Sequence, residues 1–114
     1  MKVCFIRLKN MRGAAKTIIA EVTSWPDVTT QPGRFGSTQF LVGKREVGHV
    51  HGDSVVDIPC RKEKCKEWIE GGRAEQHRFA PGFGVSVFLR KEEDMNSALE
   101  LLRESYEMVL ALSK

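Results

Sequence analysis

Two runs of strand-forming residues, Thr38–Val42 and Arg45–His51, are separated only by Gly43-Lys44, and that spacing forces the chain to fold back on itself. A glycine in the first central position suits the type II′ turn of a two-residue hairpin, because it reaches positive φ without steric cost. A regular ladder from this tip sets Val42 opposite Arg45, Phe40 opposite Val47, Thr38 opposite His49 and Gly36 opposite His51, all on one surface. Both histidines then point the same way. Their α-carbons should lie roughly 6.5–7 Å apart along an extended strand, near enough for one small ligand or ion to meet both imidazoles.

Helical patterns flank this ribbon. Met11, Ala14, Ala15, Ile18, Ile19 and Val22 recur at helical steps, and Trp25-Pro26 ends the helix because the residue before a proline is pushed out of the α region. Asp27 to Thr30 then alternate like a strand. Upstream, Val3, Phe5 and Leu8 alternate with Lys2, Arg7 and Lys9 as an edge strand or a packed arm. Downstream, Val55 to Ile58 make a third meander strand. Pro59 suits the first turn of a short helix with Cys65, Trp68 and Ile69 as its stripe, and Gly71-Gly72 stops it. Two further strands, Ala74 to Phe79 and Val85 to Leu89, surround Ala80-Pro81-Gly82. The last helix opens on Glu92, Glu93 and Asp94, which offset the helix dipole, and carries Met95, Ala98, Leu99, Leu102, Tyr106, Val109 and Leu110 on one face. The order predicts an α+β fold. We expect one domain over residues 1–114, with an antiparallel sheet of about five strands, the first and last helices packed on one face and a short helix between strands.

With 114 residues, 41% of them hydrophobic, the chain can bury one core and is too short for two. It has no apolar run of about 20 residues, and charges interrupt its N-terminus, so a cytoplasmic protein without membrane contact is expected. The formal charge of +3 is spread along the chain and mixed with acids, which disfavours nucleic acid as a partner without excluding it. A homodimer is compatible with the sequence, and no cofactor is indicated. Three cysteines in a chain without an export signal argue for reduced thiols. On a continuous helix Cys60 and Cys65 would stand about 140° apart at roughly 100° per residue, which keeps them from one ion unless the helix starts after Cys60.

Several separated segments carry a family resemblance. Gly36-Ser37-Thr38-Gln39-Phe40, Val42-Gly43 and Glu46-Val47-Gly48-His49-Val50-His51-Gly52, then Val56-Asp57-Ile58-Pro59, Gly72-Arg73-Ala74-Glu75-Gln76-His77 and the helix Leu102 to Tyr106 resemble the luciferase-domain family of small uncharacterised proteins. The resemblance implies no established reaction. Element order is also similar to the MmcQ/YjbR double-wing family, some of whose members are suggested to bind DNA, but that likeness carries no residues over.

His49-X-His51 can offer two imidazoles to one metal from a strand face, and two ligands alone do not make a site. Structural histidines held by backbone or carboxylates are the commoner case. We take Arg34, His49, His51, Asp57 and His77 as candidate ligand-binding residues. Asp53, after Gly52, reads equally well as a turn residue bonding its own backbone. The leading expectation is a small polar or anionic ligand on the histidine-bearing sheet surface. An enzyme using histidine acid-base chemistry or a metal is the second, and a nucleic-acid or protein interaction module of the YjbR-like type is the third.

Overall fold

The computed structural model describes residues 12–77 and 82–113. The strand or arm expected at residues 2–9 lies outside them, as do residues 78–81 of the strand and loop expected after Ala74. Helix α1 (Ala14–Thr23) leads to β1 (Val28–Pro32), and a 3₁₀ turn, Arg34–Gly36, joins it to β2 (Thr38–Val42). The chain continues through β3 (Arg45–His51), β4 (Val55–Pro59), α2 (Lys62–Glu70), β5 (Glu75–Gln76), β6 (Gly84–Phe88) and α3 (Glu92–Leu112). Among the described residues six strands form one antiparallel sheet in the order β1-β2-β3-β4-β6-β5. The fold is α+β. No helix among the described residues is long and apolar enough to cross a membrane.

The hairpin tip is Gly43-Lys44, with Val42 paired to Arg45. Gly43 takes φ +64 and Lys44 does not, as a type II′ turn requires. Beyond the tip the expected register fails. Leu41 pairs with Glu46, but Phe40 pairs with Gly48, Gln39 with His49 and Thr38 with Val50, while Gly36 stays in the 3₁₀ turn. A β-bulge at Val47 accounts for the shift. The apolar set explains why it is there. Val47 and Val50 are both buried, yet residues three apart on a regular strand face opposite ways, so one extra residue is needed to turn both into the core. Ser105 on α3 closes the defect by donating its Oγ–H to the Val47 carbonyl at 2.7 Å.

The core lies between the helices and one face of this sheet. Phe40, Val50, Val56, Ile58, Val85 and Val87 meet Ile18 and Val22 of α1, Trp68 of α2 and Leu101, Leu102 and Tyr106 of α3 in one cluster. Leu99 and Leu110 are only half-buried, and Leu101 with Ser105 takes the central place, so the buried stripe of α3 is rotated from the expected one. Gly48 allows the close approach, since a Cβ there would fall 2.6 Å from Leu102 Cδ2 and 3.0 Å from the Asp57 carbonyl oxygen. Trp68 Nε1–H donates to Glu104, and Arg73 pairs with Glu100 and Glu104, which ties α2 to α3.

Two polar expectations change. Asp53 caps α1 across 38 to 40 residues of chain instead of bonding its own turn, accepting from the Ala15 amide at 2.8 Å and the Gly13 amide at 3.0 Å. Those two hydrogen bonds hold its carboxyl below the ordinary range. The second change concerns the thiols. Cys60 and Cys65 form a disulfide, contrary to the expectation of reduced cysteines. The reason is the helix start: Arg61 is the N-cap of α2, so Cys60 lies in extended chain before the first turn, and its α-carbon comes within 5.7 Å of that of Cys65.

Candidate functional site

Residues alternate along each strand, so those between the core residues project from the other face of the sheet. Here stand Gln39, His49, His51, Asp57 and Ser86, with β5 bringing His77 to the same place. Asp57 is the centre. It lies opposite His49 on β3 and opposite Ser86 on β6. Its Oδ1 accepts from Ser86 Oγ at 2.6 Å, which leaves Oδ2 to face three imidazoles. His51 Nε2 is 3.1 Å from Oδ2, His49 Nε2 is 3.3 Å away and His77 Nε2 is 3.5 Å away. The rings of His49 and His51 meet edge to face, 4.8 Å between centroids.

The bulge adds a member that regular alternation hides. Glu46 and His49 are three apart and would project from opposite faces of a regular strand, but the extra residue between them brings both to one side. Glu46 Oε2 takes the hydrogen bond of His49 Nδ1. The His49 ring is thereby fixed at both nitrogens, Nδ1 on Glu46 and Nε2 toward Asp57. The sequence did carry a signal for this. Val47-Gly48 with Val50 three places beyond Val47 cannot bury both valines without a bulge, and Glu46 follows from it.

Asp57 is 7% exposed, roofed by the three imidazoles it holds. Hydrogen bonds to Asp57 and then to Glu46 raise the His49 pKa from 6.5 to about 9, against the opposing effect of burial. Burial alone would raise the Asp57 carboxyl, but hydrogen bonds from His49 and Ser86 and the positive fields of His77 and His49 hold it below its ordinary range. The consequence for stability has a definite sign. A histidine whose pKa is higher in the folded chain contributes fully below its unfolded value of 6.5, and loses that contribution as pH rises to about 9. We therefore expect the stability advantage of the wild type over His49→Gln to shrink across that window in chemical denaturation. An advantage that stays constant or grows would mean that His49 is not held as a cation.

Of the sequence candidates, His49, His51, Asp57 and His77 are brought together, and Arg34 is not. Arg34 sits in the exposed turn between β1 and β2, and no hydrogen bond or ion pair among the described residues joins it to the histidines. Glu46 and Ser86 are the additions. His49, His51 and Asp57 can each offer one ligand atom within 4.8 Å of the others, which suits a metal ion. No curated protein and no solved structure matches the chain, and no similarity to the double-wing family is shown. The family model described as the luciferase domain matches residues 44–105, more than half of the chain, and the match takes in every member of the Asp57 cluster while leaving out Arg34. The chain belongs to the luciferase-domain family.

Proposed function

We propose that the open face of the sheet binds a divalent transition-metal ion through His49, His51 and Asp57, with His77 as the fourth donor, and that the ion receives a small polar ligand there. One observation carries the reading: three imidazole Nε2 atoms converge on a single carboxylate oxygen. A tetrahedral ion about 2.0–2.2 Å from each donor separates its donors by roughly 3.3–3.6 Å. The nitrogens stand 3.1–3.5 Å from Asp57 Oδ2, close to those edges, and the His49, His51 and Asp57 donors, which lie within 4.8 Å of one another, would draw together on the ion. Glu46 on Nδ1 of His49 and Ser86 on Oδ1 of Asp57 supply the outer hydrogen bonds that orient such ligands. The two carboxylates also refine the ligand. An anion would be repelled by Asp57 and Glu46 unless a cation lay between, so an anionic or polar ligand fits best when bound through the ion.

A second reading uses the same atoms without an ion. His49, held as a cation between two carboxylates, can act as a general acid toward a ligand on this face. Metal analysis of protein purified without chelator separates the two. We expect one equivalent of a transition metal in the wild type, rebinding of Zn²⁺ or Co²⁺ after chelation, and no binding by the double variant His49→Gln/His51→Gln, whose far-UV circular dichroism should be unchanged. A wild type that neither retains nor takes up an ion would leave only the acid-base reading.

A further inference from the structure

None of the three histidines lines the groove of about 1260 Å³ that runs between the start of α2 and the end of α3. Its lining mixes exposed Phe83 and Met108 with cationic Arg45, Arg61, Lys62 and Lys64 and acidic Glu46, Glu63 and Glu67. Cys60 lines it. We propose that the Cys60–Cys65 bridge is an exchangeable disulfide, opened by a small thiol bearing carboxylates that enters this groove.

Three features of the fold support exchange. The two sulfurs are unequally placed, since Cys65 is 3% exposed and Cys60 is half-buried on the groove, so an incoming thiolate has one sulfur to attack. The leaving sulfur belongs to Cys65, the fourth residue of α2, where the positive end of the helix offsets part of the cost that apolar burial puts on its thiolate. The scaffold around the bridge does not depend on it. Cys60 N–H donates to the Phe83 carbonyl, Cys65 N–H donates to the Arg61 carbonyl, and Trp68 anchors α2 in the core, so opening the bridge leaves strand and helix in place. The released Cys65 thiol has an acceptor at hand in the Cys60 carbonyl oxygen, 3.4 Å from its sulfur.

The chemistry balances with the thiol as reductant. The thiolate RS⁻ attacks Cys60 Sγ, the bond between Cys60 and Cys65 breaks, and its electron pair leaves on Cys65 Sγ, which takes a proton. A second RS⁻ attacks the R-bearing sulfur of the mixed disulfide, forming RSSR and releasing Cys60 as thiolate, which is then protonated. Two thiols are oxidised and one protein disulfide is reduced. With Glu46 held on His49 and Lys64 paired with Glu67, Arg45, Arg61 and Lys62 outnumber Glu63 on the lining, which favours a carboxylate-bearing thiol over a cationic one.

The test uses the full chain with Cys4→Ser, to remove the third thiol, and reduced glutathione and cysteamine as probes. Under native conditions glutathione should open the bridge at millimolar concentration, at least about tenfold faster than cysteamine at low salt, with the difference narrowing as salt screens the rim. With Cys65→Ser added, oxidised glutathione should place one glutathione on Cys60 by intact mass with release of one reduced glutathione, whereas with Cys60→Ser in its place Cys65 should stay unmodified. A bridge that resists glutathione until the chain is denatured, equal rates for the two thiols, or an adduct on Cys65 would each overturn the proposal. The wild-type bridge gives the rate and selectivity readouts even if a single-cysteine variant fails to fold. Because no step involves the histidine cluster, the result stands or falls separately from the metal.

Discussion

Leu102→Ala should lower the unfolding free energy by about 2–5 kcal/mol, among the largest effects available to a single truncation in this chain. Leu102 is fully buried, and it reaches the sheet at Gly48, a strand position without a side chain. The reverse change tests the same contact. Gly48→Ala would thrust a methyl group against Leu102 and the Asp57 carbonyl, and overpacking of that kind costs roughly 1–3 kcal/mol. The two should not add. In the double variant Leu102→Ala/Gly48→Ala, truncation on the helix vacates the space that the new methyl group on the strand needs. Only the backbone contact then remains, so denaturant unfolding should show a cycle with favourable coupling. Strict additivity, or a loss below about 1 kcal/mol for Leu102→Ala, would place that side chain outside the packed interface.

That interface is where sequence and structure diverge most instructively. The tip at Gly43-Lys44, the shared face of His49 and His51, and the strand position of Asp57 all follow from local rules: glycine's tolerance of positive φ and the period of two along a strand. The bulge does not. It arises because α3 demands two valines three residues apart, and its unpaired carbonyl is satisfied by Ser105, 58 positions along the chain. A ladder extrapolated from the tip therefore put His49 opposite Thr38, where it meets Gln39, and missed Glu46 altogether. The same limit applies to Asp53, whose partners lie some 40 residues earlier, and to Cys60 and Cys65, whose pairing turned on where α2 begins. Each missed feature depends on a contact between elements, which periodicity within one element cannot report. His77 is intermediate. Its segment was readable as a strand, but only the pairing of Glu75 with Ser86 brings its ring beside Asp57.

The bulge thus serves core and site together: it buries Val47 on one face and turns Glu46 toward His49 on the other. This division predicts how the two carboxylates should differ when altered. Asp57→Asn should weaken Zn²⁺ or Co²⁺ binding by more than about 100-fold, since it removes the charged oxygen on which three imidazoles converge, whereas Glu46→Gln, acting only through His49 Nδ1, should cost about 10–100-fold. A second readout separates positioning from ligation. Both substitutions remove a partner of the His49 cation, so its pKa in chelator-treated protein, followed by NMR titration, should fall from about 9 toward 6.5 in each case. The pKa of His49 should therefore move in both variants while metal affinity separates them. Equal and small losses of affinity would show that Asp57 orients histidines without ligating an ion, and the cluster would then act through its protons alone.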